Sequence, residues 1–270
     1  MWGLRNAIRA ELTKLTWRSG TLWAAVPLSI IIPVLVTGVI AAGNQMIADT
    51  NREAGPDAVQ LPGGYSMTPD NSVYWVLFFA TFIMMCAAVN SYGTEIKNKT
   101  VDLFGFIQPA RWTQVVAKLV VFGTIGALST AAGVVFINGV FPHLFPGSWS
   151  DVGLFTGEGV RFLWSIPLYT LLLIAAGLGM VAIVRHTYIV VAFMLFVKLG
   201  TEAFLAFADI DLAERVRRYS PFVNAEYSTG QMQGMPDGIW GENIAIGYYA
   251  VIFLAVFAVG VWRSAQVSRN

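Results

Sequence analysis

The sequence predicts an all-α integral membrane protein of six transmembrane helices, and three observations carry that prediction. Hydrophobic residues make up 56% of the 270-residue chain and charged residues only 12%, about half the charged fraction of an ordinary soluble domain. The apolar residues fall in long blocks rather than at amphipathic spacing. Lysine and arginine are unevenly shared between alternate connections of those blocks. The chain therefore reads as a single transmembrane domain, 1–270, with an interfacial segment at 1–20, an inner connection at 90–114 and an outer helical segment at 209–243.

A helix crossing the hydrocarbon layer, roughly 30 Å thick, needs about 20 mostly apolar residues and satisfies its backbone hydrogen bonds internally. Segments 21–42, 73–91, 115–140, 162–184, 188–208 and 244–262 meet that test. Pro27 and Pro33 interrupt the first and predict a kink there. The first apolar run begins after residue 20 and is too long for a signal-peptide core, so no cleavable leader is expected.

Orientation follows from the connections. With the amino terminus inside, the inner segments carry eleven Lys and Arg residues and the outer segments five. The expected topology therefore places both termini in the cytoplasm, in the plasma membrane. The formal charge of +1 conceals this polarity, which runs from +8 on the inner segments to −7 on the outer ones.

Several functions are disfavoured. The near-zero net charge gives no reason to expect a nucleic-acid partner. One cysteine, Cys86, and two histidines leave little for a zinc site. The chain contains no Gly-Lys pair, hence no phosphate-cradling Walker loop, and neither an H-E-x-x-H helix nor a G-x-S-x-G elbow. The longest outer segment, about 35 residues, is below the size of a domain that folds alone. No enzyme activity is expected of the chain itself.

Before the first span, Leu4, Ile8, Leu12 and Leu15 recur three and four apart, with Arg5, Arg9, Glu11, Lys14 and Arg18 on other faces. That spacing predicts an amphipathic helix at the membrane surface; a plain charged flank is the alternative. Segments 43–72 and 141–161 read as irregular chain. In 209–243, Asp211 and Glu214 have capping-box spacing, and Leu212, Val216 and Tyr219 give an apolar edge that Pro221 ends, so a short surface helix is expected. A second, broken helix or a plain loop follows over 222–240.

The inner connection between spans two and three runs Thr94-Glu95-Ile96-Lys97-Asn98-Lys99-Thr100, then an apolar stretch to Gln108, then Pro109-Ala110-Arg111, with Lys118 at the start of span three. In these residues the chain resembles the permease subunits of bacterial type-2 ATP-binding-cassette (ABC) exporters. Glu95, Ile96, Lys97, Thr100, Pro109, Arg111 and Lys118 occupy the places of that family's hallmark, and Lys99 stands where the family usually has glycine. The interfacial helix, six spans and outer helical segment extend the resemblance over the whole chain.

The resemblance implies that this connection forms a coupling helix, with Glu95, Lys97, Thr100, Pro109 and Arg111 at or near an ATPase contact. It implies a permease moving a lipid, peptide or antibiotic, paired with a second, identical or related permease subunit and two ATP-binding subunits. No cofactor is expected on this chain; ATP and magnesium belong to the partner ATPase.

Within the membrane, Lys198 and Glu202 lie four apart near the middle of span five, on one helix face. A charge at that depth must face protein or water, so the pair marks either a polar pathway or a self-neutralised structural contact. The pathway reading supports a second hypothesis, an ion-coupled secondary transporter or channel. Phe78, Phe79, Phe82, Met84 and Met85 in span two either line an apolar cavity or fill the core. Small residues in spans three and four, among them Gly126, Gly177 and Gly179, predict close helix packing.

Overall fold

The computed structural model describes residues 2–16, 19–55, 59, 61–63, 67–69, 71–101, 110–149, 152–201, 211–231 and 240–266. Among them the chain is helical, with no strand. In chain order the helices are α1 (Trp2–Lys14), α2 (Thr21–Ala54), α3 (Val76–Lys97), α4 (Trp112–Leu144), α5 (Gly157–Val184), α6 (Thr187–Gly200), α7 (Asp211–Arg218), α8 (Pro221–Thr229) and α9 (Glu242–Gln266). Five of these, α2 to α5 and α9, are long and apolar enough to cross a membrane. The chain is thus consistent with a multi-pass membrane protein. Helix α6 covers the first part of the expected fifth span, and 202–208 lie outside the described residues.

The spans reach further than their apolar cores. Helix α2 continues to Ala54, twelve residues past the expected end, and runs unbroken through Pro27 and Pro33. Residues 44–54 contain neither glycine nor proline, and Asp49 and Arg52 pair at 2.9 Å one turn apart. The chain breaks at Gly55, whose φ of 83° suits glycine. Helices α4 and α5 likewise extend into the expected 141–161 loop. Thr156 starts α5 by accepting the Gly159 amide at 3.1 Å.

Helix α5 is the central element. Within its most apolar stretch, 72% of residues are buried, against 22% for α2 and for α9, which lie at the periphery. Helices α3, α4 and α9 pack around it. Lipid gives apolar side chains no drive to leave it, so such contacts depend on close fit. At the α5–α9 contact, Gly260 approaches so near that a Cβ there would lie 2.5 Å from the Gly179 carbonyl oxygen. The small residues of span four thus make a backbone-to-backbone crossing. The outward flanks of α2, α6 and α9 expose Leu35, Phe196 and Val251, as a lipid-facing surface requires.

Helix α1 docks along α4. Its protein-facing side differs from the expected one: Ala7 and Glu11 are buried, Leu4, Ile8 and Leu15 are half-buried, and Leu12 points away. A carboxylate thus sits in the face expected to be apolar.

Helix α7 forms as a short helix, and it and the turn after it expose Leu212, Val216 and Tyr219. Pro221 opens α8 rather than simply ending the preceding run, because a proline lacking its N–H fits the first turn of a helix. Helix α8 is almost wholly enclosed. Aromatic contacts hold it in place: Phe222 stands 6.2 Å from Phe82 of α3 and 5.7 Å from Phe253 of α9, centroid to centroid.

Candidate functional site

Two buried charge clusters and two cavities organise the chemistry of the bundle. The first cluster joins α1, α3 and α4. Lys118 is fully enclosed, and its Nζ donates to Glu11 Oε2 at 2.8 Å, Glu95 Oε1 at 2.8 Å and Ser91 Oγ at 3.1 Å. An ammonium has three N–H groups, so this one is saturated. Lys14 completes the cluster, donating to Glu11 Oε1 at 2.6 Å and Glu95 Oε1 at 2.7 Å. Two lysines and two glutamates make the set neutral, which is the condition under which buried charges are tolerated. Burial alone would lower the Lys14 pKa, but its hydrogen bonds to Glu11 and Glu95 and their charges outweigh burial and hold it above the ordinary lysine value.

This cluster separates the residues of the inner connection. Glu95 is turned into the bundle, with its side chain 14% exposed. Lys97 is exposed, and Thr100 and Arg111 are half-buried. Pro109 and most of the expected coupling helix, 102–109, lie outside the described residues. Between Lys97 and Thr100 the chain turns at Lys99 with φ 57°, a left-handed conformation that glycine adopts without strain.

Arg111 lines a cavity of about 70 Å³ with Arg185, Arg263, Tyr92 and Ser264. The three arginines arrive from the start of α4 and from the ends of α5 and α9.

The second cluster is at the other end of the bundle. Lys198, in a widened π-helical turn of α6, forms a buried ion pair with Glu226 of α8. Glu202, the neighbour expected from spacing, lies outside the described residues. Glu226 offers its Oε1 to the lysine, while Oε2 finds no hydrogen-bond donor among the described residues. Helix α8 is anchored further by Arg161, which donates to the Ser228 carbonyl at 2.6 Å and pairs with Glu242 at 2.6 Å. Gln231 just beyond it accepts the Val73 amide at 2.9 Å.

Lys198 also borders a cavity of about 340 Å³ between α3 and α6, lined by Phe78, Phe79, Phe82, Cys86 and Leu195. The span-two residues expected to act together thus divide: the phenylalanines face the cavity, whereas Met84 and Met85 are wholly buried in the core.

Glu11 and Glu226 are the charged residues that sequence reasoning missed. Glu11 lies one helical turn from Ala7 on the docked face, and Glu226 sits four residues after Phe222 in a helix opened by Ser220-Pro221. Those local signals were present, but their lysine partners are 107 and 28 residues away. Among the described residues no group of His, Cys, Asp and Glu could hold a metal ion. No family model, curated protein or solved structure matches the chain.

Proposed function

We propose that the chain is the transmembrane permease subunit of an ATP-driven exporter of the type-2 ABC class. In this reading it resides in the plasma membrane with both termini cytoplasmic, and works with a second permease subunit and two ATP-binding subunits. The observation that carries the reading is the position of the Glu11–Lys14–Glu95–Lys118 cluster. It ties α1, α3 and α4 together where the inner connection leaves α3 and returns to α4. A force applied to that connection is then shared by three helices.

The same reading assigns different tasks to the inner residues. Lys97, exposed, and Thr100 and Arg111, half-buried, serve as partner contacts. Glu95 acts as a positioning residue that anchors the connection to the bundle. The apolar cavity beside Lys198 suits a substrate with an apolar body, in line with a lipid, peptide or antibiotic cargo.

The test is recovery of the complex. Purification from the native membrane in mild detergent is expected to yield an ATP-binding subunit, and charge reversal at Lys97 and Arg111 is expected to deplete it while the permease remains folded. Recovery of no ATPase, with transport unchanged in those variants, overturns the reading. The buried Lys198–Glu226 pair favours one alternative, an ion-coupled secondary transporter. Transport that survives ATP depletion but stops when the ion gradient is collapsed selects that alternative.

A further inference from the structure

The geometry points to an internal water site where α5, α8 and α9 meet, with one or a few water molecules bridging the hydroxyls of Ser165, Ser228 and Tyr249. All three side chains are fully enclosed. Ser165 Oγ and the Tyr249 hydroxyl find no hydrogen-bond partner among the described residues. Ser228 donates to the Ala225 carbonyl at 2.7 Å, which leaves its oxygen able to accept from a further donor. A buried hydroxyl without a partner is costly, so in folded proteins such groups nearly always meet protein or ordered water.

Two contacts bracket the place. Arg161, Ser165 and Tyr169 recur four apart and share one face of α5. At one end of that row Arg161 donates to the Ser228 carbonyl at 2.6 Å; at the other the Tyr169 ring meets the Tyr249 ring edge-on, 6.0 Å between centroids. Ser165 lies between them, one turn from each, with α8 and α9 opposite. Helix side chains lean toward the N-terminus, and α9 begins at Glu242, which pairs with Arg161. The Tyr249 ring therefore carries its hydroxyl toward the level of Ser165. The Ser228 side chain lies close to that hydroxyl, yet the two do not reach hydrogen-bonding geometry. Polar groups near one another but out of direct reach are the ordinary setting of a bridging water.

Ser165 also differs from the other hydroxyls of the long helices. Thr81, Thr124, Ser129 and Thr170 each donate to the carbonyl four residues back, at 2.6 to 2.8 Å. Ser165 makes no such bond, so its hydroxyl is not spent on its own helix. Small side chains give the water room: Ser165, Ser228 and Ala245, which is fully enclosed one turn before Tyr249. A cleft of about 540 Å³, lined by Arg161, Phe162, Gly230 and Glu242, comes within one helical turn of Ser165 and supplies a route from solvent. This inference is independent of the transport reading, because it requires only that the chain be folded.

The test is radiolytic hydroxyl-radical footprinting of the full-length protein in nanodiscs, read by mass spectrometry, since radicals formed from a bound water oxidise the side chains beside it. Tyr249 is expected to be oxidised despite its burial, whereas Met84 and Met85, equally enclosed and more reactive toward the radical, stay unmodified. Ser165→Val, which puts a methyl group in place of the water, is expected to remove most of the Tyr249 signal. Thr170→Val, at a hydroxyl already bonded to its own helix, is expected to preserve it. After rapid mixing with water carrying heavy oxygen, incorporation at Tyr249 is expected to lag behind that at Tyr188, which is 84% exposed. An unmodified Tyr249 overturns the site, as does an undiminished signal in Ser165→Val. Incorporation as fast as at Tyr188 overturns it in favour of a space open to bulk solvent. Should Ser165→Val fail to fold, wild type alone decides: Tyr249 modified no more than Met84 and Met85 overturns the proposal.

Discussion

Lys118 and Glu11 are 107 residues apart in the chain and 2.8 Å apart in the fold, and the lysine has no exposed surface. Helices α1 and α4 are thereby joined through a charge that water does not reach. Removing one member of such a set leaves its partners buried and uncompensated, which typically costs about 3–5 kcal/mol. Lys118→Met is therefore expected to lower the thermal stability of the detergent-solubilised protein sharply, and Glu11→Gln to do the same. A double-mutant cycle across the two positions is expected to show strong coupling; additive effects would mean that the contact is not formed in the folded protein.

The alkaline side of the stability profile isolates Lys14. Its folded pKa lies above the ordinary 10.5, so its contribution is fully present below that value and is lost as pH rises through the higher folded pKa. The stability difference between wild type and Lys14→Met is expected to be constant from neutral pH to about 10.5 and to shrink beyond it. A difference that fades already near neutral pH would contradict the geometry.

Lys99 offers a substitution that gains stability. A left-handed conformation costs a side-chain-bearing residue roughly 1 kcal/mol relative to glycine. Lys99→Gly is expected to raise the unfolding midpoint modestly and Lys99→Val to lower it. Thermal unfolding of both variants in one detergent checks the sign, and the reverse order would mean a different turn.

The crossing of α5 and α9 depends on the absence of two side chains. A Cβ at Gly179 would stand 2.6 Å from the Phe257 Cα, backbone that cannot move without moving the helix. Gly179→Ala and Gly260→Ala are each expected to cost about 1–3 kcal/mol by overpacking, read as a lower melting temperature. Gly43→Ala, inside α2 with open space around it, is the control and is expected to leave the melting temperature unchanged or raise it, because alanine favours the helix.

If the chain is the transporter proposed above, the Lys198–Glu226 pair separates structure from transport. Glu226→Ala is expected to destabilise strongly, because the lysine loses a buried counter-charge. Replacing both, as Lys198→Met with Glu226→Leu, is expected to recover most of the stability. If that double variant also retains full transport in vesicles, the pair is a structural contact; if it is stable and inactive, the pair lies on the path.

Much of the bundle was legible because block hydrophobicity is a local property. The long apolar runs of α2, α3, α4, α5 and α9 announced themselves. Helix ends were less legible, since averaging 43–72 hid a stretch free of glycine and proline inside a segment rich in both. The charge pairs were least legible. Spacing offered Lys198 a neighbour four residues on, Glu202, which lies outside the described residues; Glu226 is brought to it by the folding back of α8, which no local period records. Glu11 was likewise assigned to the polar side of α1 because a partner 107 residues away leaves no trace in helical periodicity.

The two buried lysines also differ in the order in which a ribosome delivers their companions. Glu11, Ser91 and Glu95 all precede Lys118, so this ammonium leaves the exit tunnel with every acceptor already made. Lys198 is synthesised 28 residues ahead of Glu226. The α1 end of the bundle can thus be assembled as the chain emerges, while the contact between α6 and α8 closes only after α8 has been released, making it a later step of biogenesis.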